Sequence, residues 1–335
     1  MGLNRNLESE TLIEIIDVYK TFRSRTGFRD AIGLAGSVTR KSIRAVDGVR
    51  LKMRTGEILG LAGESGCGKT TLGKLLVGLE TTDRGRVLFK RKDITRLNKN
   101  QWKDFRKKVQ MIFQDPYGSL DPRFSVYDSI CEPLNIHKIG SKGEKRNEIV
   151  FEIMESVNLA PPEEFMAKYP DELSGGERQR VSIARHLVLH PEFVVADEPV
   201  SMLDVSVRAQ VLNMLKELKD TFNLTMMFIT HDLTISRYMS DRIAIMYYGK
   251  ICEVGPTEEV IENPIHPYTQ LLLKCVPIPD PTYERQRVVL NKQKLFIAEK
   301  GCKFRSRCSS RKNRCKKEEP TLVEARKNHW VACWS

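Results

Sequence analysis

Gly63-Glu-Ser-Gly-Cys-Gly-Lys-Thr70 fits the pattern G-x-x-x-x-G-K-[ST], and its flanks supply the context that pattern requires. Ahead of it, residues 57–62 read as a short buried strand. Behind it, residues 69–78 have helical spacing, with Leu72, Leu75, Leu76 and Leu79 on one side. Glycines between a strand and a helix let the backbone curl until successive N–H groups face one anion. The helix N-terminus adds its dipole to the same point. Lys69 can then reach the β- and γ-phosphates of a nucleotide, and the Thr70 hydroxyl can take a place on Mg²⁺. Gly63, Ser65, Gly66, Gly68, Lys69, Thr70 and Thr71 are the candidates for holding the nucleotide.

A second stretch, Phe193-Val-Val-Ala-Asp197-Glu198, complements the first. An apolar strand delivers Asp197 to its polar end, where it can hold the Mg²⁺ shell. Glu198 follows, able to orient an attacking water or accept its proton. Further from the loop, apolar runs alternate with helical patterns, which predicts an α/β fold. Strands are expected at 13–18, 46–53, 86–90, 109–113, 224–230, 243–247 and 250–254, the last two as a hairpin. Helices are expected at 126–136, 147–159, 177–189 and 205–221. Residues 22–44 read as a long basic loop or insertion.

Loop and acidic strand alone fit kinases and RecA-like motors equally well. Leu173-Ser-Gly-Gly-Glu-Arg-Gln-Arg180 discriminates: it resembles the signature motif of ABC ATPases and precedes the acidic strand, as in that family. Gln114 in Phe113-Gln-Asp115 resembles the Q-loop, Ser201-Met-Leu-Asp204 the D-loop, and His231 in Thr230-His-Asp-Leu233 the switch histidine. The resemblance implies a P-loop core with an antiparallel β subdomain and a helical subdomain over about 115–173. It implies ATP and Mg²⁺ as ligands, with Thr70, Gln114 and Asp197 around the metal and Glu198, His231 and Gln114 around the attacking water. Ser174, Gly175 and Gly176, just ahead of a helix, would bind the γ-phosphate held by an opposing subunit, and Asp204 of the D-loop would join the nucleotide-binding residues. Met202 departs from the small residue usual in the D-loop. Phe22 stands where the family places an adenine-stacking aromatic, with plain packing as the other reading.

Phe113-Gln-Asp-Pro-Tyr-Gly-Ser-Leu-Asp-Pro122 and Asn263-Pro-Ile-His-Pro-Tyr-Thr269 are similar to the oligopeptide/dipeptide importer branch, and Val276-Pro-Ile-Pro-Asp-Pro281 to its F-type ATPase subunit. That branch implies a homologous D-type ATPase partner, two membrane permeases and an extracellular solute-binding protein, at the cytoplasmic face of the membrane. Its cargo includes peptides, and in some members nickel or oligosaccharides. The expected division is a nucleotide-binding domain over 1–281 and a Cys-bearing domain over 282–335.

The formal net charge is +12, and residues 282–335 hold 15 Lys/Arg against 5 Asp/Glu. A basic tail suits nucleic acid, anionic lipid, a clustered negative charge or plain solvation. A soluble ABC ATPase acting on nucleic acid is the competing reading. The interval from Lys69 to Ser174 lacks the sustained heptads of repair members, and few aromatics interleave the tail's charges, so no nucleic-acid partner is expected. No run of eighteen apolar residues and no secretory signal is visible, which places the chain in the cytosol. There, Cys67, Cys131, Cys252 and Cys275 read as packing residues. The spacing Cys302-x5-Cys308-x6-Cys315-x17-Cys333 lacks the tight pairs of zinc sites, and suits an iron–sulfur cluster better than zinc or free thiols. The resemblance implies a [4Fe–4S] centre there, and the eight Lys and Arg residues between Lys303 and Lys317 would offset its negative charge.

Overall fold

Among the described residues, twelve strands form two sheets: β1 (Thr11–Arg23), β2 (Ser42–Arg54), β3 (Ile58–Ala62), β4 (Arg84–Phe89), β5 (Lys92–Asp93), β6 (Val109–Ile112), β7 (Phe193–Asp197), β8 (Thr225–Thr230), β9 (Arg242–Tyr247), β10 (Lys250–Pro256), β11 (Val323–Arg326) and β12 (His329–Val331). The computed structural model describes residues 10–23, 42–140, 143–275 and 300–334, with only the backbone of Arg23 and Tyr117. Most of the basic stretch 22–44, the run Val276–Pro281 and the expected boundary at 281/282 lie outside the described residues.

The smaller sheet runs β2-β1-β4-β5 and is antiparallel. The larger runs β11-β12-β10-β9-β3-β8-β7-β6. Its stretch from β9 to β6 is parallel, and β10, β12 and β11 continue it antiparallel at one edge. Strands β3, β7 and β8 are buried along their whole length, as parallel strands covered on both faces must be. Their alternate residues feed opposite cores. Ile58, Val194, Ala196, Met226 and Phe228 face a layer of helices that includes Val126–His137, Glu144–Ser156, Gly175–Leu187 and Val205–Phe222. Leu59, Leu61, Phe193, Val195, Met227 and Ile229 join a second core with β1, β2 and the helix Lys69–Leu76.

The expected strands and helices appear with shifted ends. The helix Lys69–Leu76 buries Leu72, Leu75 and Leu76 as expected, but Leu79 lies beyond its end and is 55% exposed. Gly78, at φ +72°, turns the chain before Leu79 can join that face. Among the described residues, three helices of seven or more residues lack any counterpart in the sequence reading: Lys99–Lys108, Leu233–Met239 and Pro267–Cys275. Cys67, Cys131 and Cys252 are buried as packing residues, whereas Cys275 is exposed at the end of its helix. No helix among the described residues is long and apolar enough to cross a membrane.

Residues 300–334 dock onto the larger sheet. β12 pairs with β10, setting Val331 opposite Glu253 and Trp330 opposite Val254. Phe304 is 3% exposed and packs against Tyr247 and Tyr268, with centroids 5.2 and 5.4 Å away.

Candidate nucleotide site

Strands β6, β7, β8 and β3 lie side by side and in register: Ile112 is beside Ala196, Asp197 beside Ile229, and Thr230 beside Ala62. Their C-terminal ends therefore open at one edge of the sheet, which is where parallel α/β sheets bind ligands. From that edge the chain passes into Gln114, Asp197–Glu198, His231 and the loop from Gly63 to Thr70. Strand order alone brings these four segments together, from widely separated places in the sequence.

Two glycines in the loop are there for space as well as for dihedral freedom. Gly63 has φ +154°, and a Cβ would sit 2.2 Å from the Met246 carbonyl oxygen. Gly68 has φ +110°, and its Cβ would sit 2.0 Å from the Ala45 carbonyl oxygen. Lys69 is 5% exposed. Its Nζ arches back to donate to the carbonyls of Gly63 (2.8 Å) and Glu64 (3.1 Å). Ser65 and Gly66 are exposed, and Thr71 is half-buried on the first turn of the following helix. The Thr70 hydroxyl donates to Asp197 Oδ1 at 3.2 Å. Burial raises the Asp197 carboxyl above its ordinary range, and the neighbouring Glu198 charge pushes the same way, against the Thr70 hydrogen bond.

Glu198 is bracketed. Gln114 Nε2 donates to its Oε2 at 3.2 Å, and His231 Nδ1 lies 3.0 Å from its Oε1. Its backbone takes a left-handed turn at φ +49°, held by Glu198 N–H to the Ile229 carbonyl (2.9 Å) and by Ser201, whose N–H and hydroxyl both donate to the Glu198 carbonyl. A non-glycine residue in that region marks a turn that its surroundings fix.

Ser174, Gly175 and Gly176 stand apart from this cluster in their bonding. Ser174 caps the helix Gly175–Leu187, forming a reciprocal box with Glu177: each residue's backbone N–H donates to the other's side chain. The Ser174 hydroxyl also donates to Glu177 Oε2 at 2.6 Å, and with the Ser174 N–H it holds the Glu177 carboxyl below its ordinary range. Asp204 caps the helix Val205–Phe222 through Val207 N–H at 3.0 Å. The two helices meet where a Cβ on Gly176 would fall 2.5 Å from Val207 Cγ1. Gly176 thus has a packing reason to be glycine beside the anion-binding one expected from sequence. Phe22 sits near the end of β1, 40% exposed, with the Lys20 ammonium 5.3 Å from its ring.

Sequence reasoning passed over Glu64, Tyr268 and Arg307. Glu64 N–H donates to the Tyr268 hydroxyl at 3.0 Å, and Arg307 clasps both Glu64 carboxylate oxygens, at 2.8 and 2.9 Å. Tyr268 belongs to the quoted Asn263–Thr269 run, so its motif was in view without its contact.

Cys302, Cys308, Cys315 and Cys333 share one neighbourhood. Cys302 N–H donates to the Cys315 carbonyl at 2.9 Å. Burial pushes the Cys302 thiol up to about 11 and raises Cys308, and the surrounding thiols act in the same direction. Among the described residues, no group of three His, Cys, Asp or Glu side chains could hold a single metal ion. The nearby positive charges are not all turned to the cysteines, as the sequence reading had them. Lys303 pairs with Asp47 (2.7 Å), Arg307 with Glu64 and Arg314 with Glu318 (2.7 Å).

Comparison with known proteins places these features among relatives. Residues 46–201 match the ABC transporter family, and residues 252–315 match the oligopeptide/dipeptide transporter C-terminal region. The chain is 45% identical to the oligopeptide transport ATP-binding protein AppF of Bacillus subtilis (strain 168), over 97% of both chains. It is 41% identical to the oligopeptide transport ATP-binding protein OppF of Escherichia coli (strain K12), over 88% of both. Among solved structures it is similar to the dimeric post-hydrolysis state of the ATP-binding cassette MJ0796 bound to ADP and Pi. That match has a TM-score of 0.62 and 26% identity, and covers 73% of this chain and 99% of that one.

Proposed function

The chain belongs to the ATP-binding subunits of ABC transporters, in the oligopeptide/dipeptide branch, and on that premise we propose how its ATPase chemistry powers peptide import. The carrying observation is the Glu198 carboxylate held between Gln114 and His231 at the mouth of the phosphate loop. Glu198 is the general base that orients the attacking water. His231 and Gln114 hold it in place and report the γ-phosphate, and the loop with Lys69 cradles the phosphates. Thr70, Asp197 and Gln114 take Mg²⁺. A divalent cation at Asp197 favours the ionised carboxylate that burial disfavours.

Ser174–Gly176 and Asp204 belong to the face that closes on a second ATP-binding subunit, a homologue of the D-type. Support comes from the exposed apolar side chains beside Asp204: Met202 is 55% exposed and Val205 79%. Phe22 offers an exposed ring for adenine. Two permeases and an extracellular solute-binding protein complete the assembly, with this chain at the cytoplasmic face of the membrane. The direct test is uptake of labelled peptide by membranes carrying the assembly. Glu198→Gln should abolish uptake while ATP stays bound; uptake undiminished by that substitution would remove Glu198 from the role given to it.

Cys302, Cys308, Cys315 and Cys333 supply the four thiols that a [4Fe–4S] centre requires, and we assign that group to them. Such a centre supplies a rigid crosslink that is sensitive to oxidants. Protein purified without oxygen should contain about four irons and four sulfides per chain, and Cys308→Ser should lose them. One zinc per chain, or no metal, would overturn the assignment and leave the ATPase reading intact.

A further inference from the structure

Glu64 is the second residue of the phosphate loop, and three groups fix it. Its carbonyl accepts from Lys69 Nζ (3.1 Å), its N–H donates to the Tyr268 hydroxyl (3.0 Å), and its carboxylate is clasped by Arg307 through two parallel hydrogen bonds (2.8 and 2.9 Å). Only the first partner belongs to the loop. Tyr268 comes from the helix Pro267–Cys275 and is wholly buried. Arg307 comes from the C-terminal segment, its guanidinium stacked 5.9 Å from Tyr247 and 5.8 Å from Phe304. Paired geometry of this kind fixes direction as well as distance. The Arg307 side chain is 17% exposed against 37% for Glu64, so the arginine is the better anchored of the two.

A carboxylate on a loop built to receive a polyphosphate opposes its ligand. With no cation beside it, Glu64 repels the nucleotide's negative charge across a partly desolvated space. We propose that Arg307 is a positioning residue for the ATP site: from the C-terminal segment it neutralises Glu64 and turns that carboxylate away from the phosphates, setting the loop's affinity for nucleotide. The residue takes no part in hydrolysis and touches no reacting atom. Its effect is on binding, common to ground state and transition state, so it should appear in KM and not in kcat.

The inference rests on the ATPase reading, and the experiment separates the two. The full-length chain is titrated with ATP in the absence of divalent metal, so that affinity is read without turnover. Arg307→Ala should weaken binding about five- to ten-fold. In steady state with Mg²⁺, KM for ATP should rise by the same factor while kcat at saturating ATP holds. Adding Glu64→Gln to Arg307→Ala should recover most of the lost affinity, because it removes the uncompensated charge. A role confined to packing the tail predicts no such recovery. If Arg307→Ala does not fold, Arg307→Gln keeps the length of the side chain and carries the same test. Unchanged affinity in the single variant, or a double variant as weak as the single, would overturn the proposal. A wild-type chain that fails to bind ATP would overturn the nucleotide-site reading and this inference with it.

Discussion

The carboxylate of Glu198 receives Gln114 from the end of β6 and His231 from the end of β8, one on each oxygen. That arrangement makes a specific demand on the substitution Glu198→Gln. The amide keeps the shape and can still bond to either neighbour, but it cannot take a proton. Turnover should fall by roughly 10²- to 10⁴-fold, with ATP binding retained and the closed dimer more stable on gel filtration. Wild-type turnover would refute the assignment. At this scale the sequence was highly legible, because each motif is contiguous and its chemistry is local. The Glu64–Arg307 pair was not: its members are 243 positions apart, and neither residue type marks its partner.

Helices and strands were legible where their apolar spacing was regular. Alternate residues of β3, β7 and β8 go to opposite cores, so their continuous apolar runs identified buried strands correctly. The helix Lys99–Lys108 was missed because its mean composition is so polar, with only Trp102 and Phe105 to face the core. A start signal was present in Asn98 and Gln101, which form a reciprocal cap. Between elements, the contact of Gly176 with Val207 gives a sharp expectation. Gly176→Ala should force apart the helices Gly175–Leu187 and Val205–Phe222 and cost about 1–3 kcal/mol in urea denaturation. Val207→Ala in the same chain should restore much of that loss, since the Val207 Cβ would lie 3.8 Å from the new methyl. A double variant no more stable than Gly176→Ala would show that the contact is not the cause.

The whole molecule is tied together at Glu253, a fully buried carboxylate on β10. It accepts from Ile265 N–H (2.7 Å) and His266 N–H (3.0 Å), and its Oε1 lies 2.7 Å from His329 Nε2 on β12. His266 Nδ1 in turn accepts from Tyr268 N–H at 3.0 Å. One acidic side chain therefore holds both C-terminal segments that reach the phosphate loop. Glu253→Ala strands several buried donors at once and should cost about 2–5 kcal/mol, measured as a drop in the urea midpoint. A loss below about 1 kcal/mol would mean that water replaces the carboxylate. This level was the least legible from sequence. β12 has three residues, too few to show a period, and its partner strand lies some 76 positions earlier. Charge misled as well: the basic excess near Cys302–Cys315 suggested one shared anion, while Lys303, Arg307 and Arg314 each answer a separate carboxylate.

The order of synthesis gives the docked C-terminal segment a further meaning. Translation delivers the phosphate loop, Glu198 and His231 first, and Arg307 only 76 residues after His231. At roughly 5–20 residues per second, that gap lasts about 4–15 s. A nascent chain on the ribosome thus displays every nucleotide motif while Glu64 still lacks its cation. Affinity for ATP then rises as the docked segment arrives, and a subunit released early would carry a complete set of motifs on a weaker site.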